Sequence, residues 1–153
     1  MKKISLFLTA LLAASSALAA NNQAAPQQEN AKTEFMFGAK AANDPVGIWQ
    51  KDGRHFSKKD LSKQFCWTLT NFRSDSGNVN ITITLTSPKN TNFNLGEHIS
   101  KNTTTHIFNF TYPITQTYYN CWAFEESDPE GKYTLTVKAN NTTFPTQVFT
   151  LTK

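Results

Sequence analysis

The residues of this 153-residue chain that could act as an acid and base pair form one acidic cluster, at Glu125, Glu126, Asp128 and Glu130. Two carboxyl groups can hydrolyse a glycosidic bond when they face each other at a fixed separation. Carboxylates also bind calcium, but this spacing differs from that of an EF-hand loop, and Pro129 interrupts it. All four acids fall in one turn, where charged side chains are common. We therefore expect a solvated turn and keep a hydrolase that uses Glu125, Glu126 or Asp128 as a minority hypothesis.

The three histidines, His55, His98 and His106, lack the spacing of a metal site. Zinc sites take ligands at short paired spacings or from several facing strands. His98 and His106 are eight residues apart across a stretch rich in Asn and Thr, and His55 lies in a basic turn. We expect surface histidines, and we predict no metal site and no cofactor.

The chain has two cysteines, Cys66 and Cys121, which are 55 residues apart. This separation excludes a two-cysteine redox motif, which needs both residues close together in sequence. In an oxidising compartment such a pair forms a structural disulfide, and closing a loop of this length stabilises the fold by about 4 kcal/mol. A disulfide leaves no thiol nucleophile, and the sequence has no Gly-x-Ser-x-Gly motif and no glycine-rich phosphate loop. We predict that the protein is not an enzyme.

The N-terminus is typical of a bacterial secretory leader. Lys2 and Lys3 precede an apolar run over residues 4–14, and residues 17–19 offer the small-x-small pattern that signal peptidase reads. The run is too short to cross a bilayer permanently, which takes about 20 residues. We predict a signal peptide over residues 1–19, a periplasmic or secreted product, and no transmembrane segment in the mature chain.

Charge and composition divide the rest of the chain. Removing the leader takes away two of the 15 basic residues and none of the 11 acidic ones, so the net charge falls from +4 to about +2. A charge this small does not indicate a nucleic-acid partner. Residues 20–32 are polar, without aromatic or β-branched side chains, and predict a disordered spacer. Residues 33–153 fit one domain.

The elements that must position all of these residues are short β-strands. Residues 78–86 alternate almost perfectly, with apolar side chains on one side and Asn and Thr on the other. This is the pattern of an antiparallel strand with one solvated face. Further strands are predicted at 34–39, 47–50, 65–69, 106–112 and 117–124, and a hairpin at 133–137 and 147–151.

Two segments do not follow the strand pattern. Ser57 to Lys63 predicts a helix of one or two turns, with Ser57 as the N-cap and Asp60 at the capping-box spacing. Residues 88–105 are mostly Asn, Thr and Lys and predict a long loop, anchored by Phe93 and Leu95.

Many short strands and one long-range cysteine pair predict an all-β fold, an antiparallel β-sandwich stapled by one disulfide. The cysteine spacing, together with Tyr119 two residues before Cys121, resembles that of immunoglobulin-type domains. The resemblance implies a sandwich that is immunoglobulin-like in broad architecture. Two features depart from the pattern: Trp67 adjoins the first cysteine, and the Gly-Lys-Tyr strand follows the second one.

The aromatic side chains indicate where a partner would bind. The chain has 12 Phe, 4 Tyr and 3 Trp, more than the core of one such domain needs, and Trp49 lies near its N-terminal edge. Tyr118, Trp122 and Phe124 share the strand face opposite Cys121. If the disulfide points into the sandwich, this row points outward and can bind a partner. If the row is core, the cysteine face is the outer one, and the sequence leaves both orientations open.

The leading hypothesis is an exported bacterial binding module that recognises a protein or carbohydrate partner, in the cell envelope or a host, through sheet faces and loops. Its candidate binding residues are Tyr118, Trp122, Phe124 and Trp49. The alternative is an inhibitor of an enzyme such as a lysozyme or a protease, with residues 88–105 as its plug. A structural subunit, whose edge strand pairs with neighbouring copies, is a further possibility.

Overall fold

Runs of alternating apolar and polar residues build two facing β-sheets in the part of the chain that the computed structural model describes, residues 31–43 and 53–153. The predicted signal peptide, residues 20–30 of the predicted spacer, the strand predicted at 47–50 and Trp49 lie outside the described residues. Within those ranges the chain forms nine strands and no helix: β1 (Glu34–Ala41), β2 (His55–Ser57), β3 (Lys63–Thr70), β4 (Asn78–Leu95), β5 (His98–Pro113), β6 (Thr117–Ala123), β7 (Gly131–Ala139), β8 (Thr142–Thr143) and β9 (Gln147–Thr152).

The smaller sheet has the strand order β1-β3-β6 and is antiparallel throughout. The larger sheet has the order β2-β9-β7-β4-β5, with β8 paired to the end of β7, and only its short β2–β9 pair is parallel. β7 pairs with β9 from Gly131 to Leu135, which confirms the hairpin predicted from residues 133–137 and 147–151. The prediction of an all-β sandwich is confirmed.

The alternation in β4 places its apolar side chains in the core, as predicted: Val79, Ile81, Ile83 and Leu85 are all buried. The opposite face of the strand is polar and is bonded across to β5. Thr82 donates a hydrogen bond to Asn109 Oδ1 at 2.9 Å, and Thr111 donates one to Asn80 Oδ1 at 2.8 Å. Cross-strand pairs of this kind hold the register of an antiparallel sheet.

Aromatic rings from both sheets fill the space between them. The ring centroid of Phe149 in β9 lies 4.8 Å from that of Phe65 in β3 and 5.2 Å from that of Phe37 in β1. Trp67 and Leu69 of β3 are buried on the same side as Phe65, as the alternation predicts. Each such side chain contributes about 1.5–3 kcal/mol on burial, so contacts across the two sheets dominate the stability of the sandwich.

The prediction of a long loop at residues 88–105 is wrong, because β4 and β5 continue through it as one hairpin that turns at Gly96 and Glu97. Asn, Thr and Lys suit the solvated side of a strand as well as a loop, and this ambiguity misled the prediction. The irregularity that Pro88 requires is met by a register shift between Thr86 and Thr91. Phe93 and Leu95 are buried, as expected of an anchor.

The predicted helix over Ser57 to Lys63 is also wrong. Ser57 ends β2, where Phe56 is buried and the strand pairs with β9. The Ser57 hydroxyl accepts a hydrogen bond from the backbone N–H of Lys59 at 3.1 Å, which closes a local turn. Burial of Phe56 and strand pairing therefore override the capping signal, and Lys63 already begins β3.

The predicted disulfide between Cys66 and Cys121 is present. Cys66 lies directly opposite Cys121 in the pairing of β3 with β6, so the bond joins two neighbouring strands of the smaller sheet. In antibody domains the disulfide bridges the two sheets. The similarity in cysteine spacing therefore does not extend to the position of the bond.

Candidate functional site

The aromatic row predicted as a binding surface lies in the core. Tyr118, Trp122 and Phe124 are only 4, 5 and 3% exposed, whereas Tyr119 on the cysteine face is 67% exposed. The orientation in which this row points outward is therefore wrong. β6 pairs with β3 so that Trp122 stands opposite Phe65, and this pairing turns the row inward.

The contacts of the row are those of core residues. The Tyr118 hydroxyl accepts a hydrogen bond from the Thr115 N–H at 3.0 Å and donates one to the Pro113 carbonyl at 3.3 Å, which ties down the β5–β6 connection. Trp122 stacks on Phe65 with ring centroids 5.3 Å apart. These three side chains therefore do not form the exposed aromatic row that was predicted.

An open groove of about 400 Å³ lies where the distal part of β4 meets the end of β6 and the turn that follows. Its lining combines amide, hydroxyl and carboxyl groups with two aromatic side chains, from Asn90, Thr91, Asn92, Phe93, Asn94, Trp122, Ala123, Glu125, Ser127 and Asp128. Concave sites of this size, with a few convergent polar groups, are where proteins usually hold small ligands. The groove is therefore the candidate functional site.

Asp128 is the one buried acid of the groove. Its Oδ2 accepts a hydrogen bond from the Glu125 N–H at 2.8 Å, and its Oδ1 accepts one from the Thr91 hydroxyl at 3.4 Å. Burial raises the pKa of Asp128 above its ordinary value. The hydrogen bond from the Glu125 N–H opposes this rise, and the negative charge of the Glu125 carboxylate adds to it. Asp128 thus connects the turn to β4 and fixes the width of the groove.

The predicted acidic cluster does not act as one unit. Glu125 and Asp128 line the groove, Glu126 is exposed outside it, and Glu130 forms an ion pair with Lys58 at 3.8 Å. The expectation of a solvated turn holds for the three exposed glutamates and is wrong for Asp128, because the hairpin of β4 and β5 covers it through Thr91. No local pattern indicates this contact, since Thr91 and Asp128 are 37 residues apart.

Tyr133 also fixes the turn that carries Asp128, from the side of the core. Its hydroxyl donates a hydrogen bond to the Pro129 carbonyl at 2.6 Å, and burial, together with the charge of Asp128, raises its pKa well above the ordinary value. The ring stacks on Phe149 of the core at a centroid distance of 5.7 Å. The turn is therefore anchored to the sandwich from two sides, which gives the groove a fixed wall.

Trp122, one of the groove residues, has a buried donor without a hydrogen-bond partner. Among the described residues, three buried side-chain polar atoms have no hydrogen-bond partner: Trp67 Nε1, Thr68 Oγ1 and Trp122 Nε1. Only Trp122 lines the groove. A buried N–H without an acceptor destabilises a fold by about 1–3 kcal/mol, so this position is unfavourable for stability alone.

The expectation of three surface histidines is wrong for His106, which is fully buried. His55 and His98 are exposed, as expected. Its Nδ1 is bonded to the Ser100 hydroxyl at 2.9 Å, and its ring lies edge-on to Phe93 with centroids 4.9 Å apart. Burial lowers its pKa. The alternation of β5 could have predicted that His106 is buried, because His106 lies two residues before the buried Phe108 and therefore on the same face.

The asparagines of the groove were not predicted as site residues. Asn92 and Asn94 are exposed and alternate with the buried Phe93 and Leu95, which is a period-two signal inside the segment taken for a loop. Asn92 accepts a hydrogen bond from the Asn102 N–H at 2.9 Å and so stays fixed beside the groove. The structure thus moves the candidate site from the face of β6 to the side of β4.

No group of three or more His, Cys, Asp or Glu in residues 31–43 and 53–153 is placed to hold a metal ion. The same part of the chain contains no helix that is long and apolar enough to cross a membrane.

Solved structures of other proteins resemble this fold. The fold is similar to that of an immunoglobulin-like protein from Pseudomonas aeruginosa, with a TM-score of 0.54 and 12% identity over 80% of this chain and 98% of that one. A β-glucosidase from Listeria innocua in complex with glucose matches with a TM-score of 0.39 and 7% identity, over 79% of this chain and 16% of that one, too weakly to support an inference. No curated protein matches the sequence.

The model of one family matches residues 35–152, which include every described strand except the first residue of β1. The fold is thus an immunoglobulin-like sandwich of two sheets, and the chain belongs to the family of the PM0630 beta sandwich domain.

Proposed function

We propose that the protein is an exported, non-catalytic binding module of the bacterial envelope, which holds a protein or glycan partner in the groove between β4 and the turn after β6. The observation that carries the proposal is a concave, polar site with fixed walls. One wall is held by the hydrogen bonds of Asp128 and the other by the pairing of β4 with β5. Preformed sites bind with less loss of conformational entropy than mobile loops.

The lining of the groove favours a partner rich in hydroxyl or amide groups. An asparagine amide offers two donors and a carbonyl acceptor, and Asn90, Asn92 and Asn94 place three amides along one wall. The oxygen of Asn92 already accepts the Asn102 N–H, and its two donors remain. Glycans and peptide backbones carry donors and acceptors at comparable density.

The charge of the groove favours a partner without negative charge. Glu125 and Asp128 both line it, and among the described residues its lining contains no lysine or arginine. A groove of this character repels phosphates and carboxylates and accepts neutral or basic groups. Neutral glycans and basic peptide segments are the two classes that fit.

The test is binding by the purified, oxidised protein to an array of glycans and to proteins extracted from the cell envelope. Two groove variants, Asn94→Ala and Glu125→Gln, are compared with matched controls outside the groove, Asn141→Ala and Glu126→Gln. Both groove variants should weaken binding about tenfold or more, and both controls should leave it unchanged.

Two results would count against the proposal. One is that no glycan or protein is retained at micromolar concentrations of the protein. The other is a partner whose affinity changes equally in the groove variants and in their controls, because binding would then occur elsewhere on the sandwich.

The second candidate function is inhibition of an enzyme, with the β4–β5 hairpin as the inserted element. β7 pairs with β4 only from Ile81 to Thr86, so the hairpin continues beyond the ladder that β7 provides. Ile99, close to its turn, is 59% exposed. An apolar side chain near the end of a rigid hairpin is a suitable anchor for the cleft of another protein.

This candidate is tested by inhibition assays against a panel of lysozymes and proteases. Ile99→Asp should abolish inhibition with the fold intact, whereas Ile114→Asp, at a 48% exposed isoleucine in the β5–β6 connection, should retain it. Absence of inhibition across the panel would remove the candidate.

A further inference from the structure

β5 forms a free edge of the larger sheet. It is 16 residues long, and it pairs with β4 on one side and with no other strand of the described chain. The unpaired N–H and C=O groups along such an edge are a template for another strand. At the opposite edge of this sheet, β2 has only three residues.

The edge lacks the features that usually prevent pairing. Proteins protect exposed edge strands with charged side chains, with prolines, or by keeping them short. From Asn102 to Pro113 the strand contains no Asp, Glu, Lys or Arg, and its only proline is the last residue. β1, an edge of the smaller sheet, carries both Glu34 and Lys40.

The side chains along β5 also leave apolar surface uncovered. Ile107 is 58% exposed on the outer face of the sheet. On the inner side, Phe110 and Tyr112 stack on each other with centroids 5.7 Å apart, and both are only partly buried at the rim of the core. A strand added beside β5 would cover side chains on both faces.

We propose that two copies of the protein pair through β5, antiparallel and about a two-fold axis within residues 102–113, so that the two larger sheets form one continuous sheet. The charge pattern favours a second copy as the partner. About a two-fold axis each residue meets the same stretch of the other chain, so any charge near the axis faces its own kind. This stretch has no such charge to prevent self-pairing.

The pairing is consistent with the face pattern of the strand. In an antiparallel pair, opposite residues lie on the same face, so the two Ile107 side chains come together on the outer face. In this register Phe108 lies opposite His106 of the second copy and Phe110 lies opposite its Thr104, on the inner face. Ile107 does not line the groove, so the test of this proposal is independent of the test of the proposed function.

The experiment is sedimentation velocity on the purified, oxidised protein from about 1 μM to about 1 mM, for the wild type and two variants. Ile107→Lys places like charges across the axis. Val148→Lys is the matched control, because Val148 is a 44% exposed aliphatic residue on the same sheet but on β9. Hydrogen exchange at low and high concentration locates the interface.

The expected result is a mass that rises from one chain to two, with amides in residues 102–113 protected only at high concentration. Ile107→Lys should weaken the dimer at least about tenfold and Val148→Lys should not. A mass of one chain over the whole range, or a dimer that is insensitive to Ile107→Lys and protected elsewhere, overturns the proposal. Protection of residues 102–113 only on addition of an envelope extract also overturns it, and assigns the edge to a strand from another protein.

Discussion

Pro88 occupies the space that a side chain on Gly131 would need. An ideal Cβ at Gly131 would lie 2.9 Å from Pro88 Cβ and 3.0 Å from its Cγ. Gly131 also has a φ of 138°, which other residues rarely adopt. Because Pro88 lies at the register shift of β4 and Gly131 begins β7, this contact determines how the distal hairpin joins the rest of the sheet.

Gly131→Ala should destabilise the protein by about 3 kcal/mol, because it adds backbone strain to a contact that forces Pro88 to move. Gly77→Ala is the control, since Gly77 has a φ of 75° but open space around its Cβ position. It should lose only about 1 kcal/mol, from strain alone. Urea unfolding measures both, and equal losses would show that the contact with Pro88 is unimportant.

Asp128→Asn should reveal a buried carboxyl group whose pKa is raised by burial. Since burial raises its pKa, Asp128 binds a proton more readily in the folded state, and its contribution to the free energy of unfolding declines as the pH rises through that raised pKa. Asparagine keeps the acceptor for the Glu125 N–H and does not ionise. The stability of the variant relative to wild type should therefore increase from about pH 3.5 to pH 6. A relative decrease over this range, by urea unfolding, would contradict the assignment.

His106 should make the wild type less stable in mild acid. Burial lowers its pKa, so its full contribution to stability is present above the ordinary pKa of about 6.5 and is lost as the pH falls towards the lowered one. Each unit of depression corresponds to about 1.4 kcal/mol. His106→Gln should flatten the dependence of the unfolding free energy between about pH 5 and pH 7.

Ser100→Ala is the control for His106, because it removes the hydrogen-bond partner of Nδ1 at 2.9 Å but keeps the titrating ring. It should lower stability and retain the pH dependence. If His106→Gln kept the wild-type slope, the acid sensitivity would belong to other groups.

Removal of the disulfide should cost about 4 kcal/mol, from the entropy of the loop that it closes. The protein should still fold at 25 °C, because β3 and β6 remain paired and the two sheets are held by aromatic contacts. Urea unfolding of the reduced wild type and of a Cys66→Ala, Cys121→Ala variant measures the loss. A loss below about 1 kcal/mol in both would mean that the reduced, unfolded chain is already constrained.

Local alternation was sufficient to predict the strands whose two faces differ clearly. β4 is the best example, since Ile81 and Ile83 alternate with Thr82 and Thr84, and only one register buries the aliphatic side chains. The disulfide was predicted because the chain offers one cysteine pair and the leader predicts an oxidising compartment.

The orientation of β6 could not be read from the sequence, because both of its faces carry large side chains. Tyr118 and Trp122 compete with Tyr119 and Cys121, and only pairing with Phe65 of β3 decides between them. The groove was hidden for a related reason. Its walls come from segments about 30 residues apart that no local pattern connects.

The position of the disulfide has a mechanical consequence for a protein anchored or pulled at its ends. Tension applied to the termini passes directly through the bond between Cys66 and Cys121 and bypasses the 54 residues between them. β4 and β5 lie inside this covalent ring, whereas the turn that carries Asp128 lies outside it. Under load, the turn that forms the outer wall of the groove would therefore be extended while the disulfide kept β4 from being pulled out, and a bound partner would be released from the groove by force.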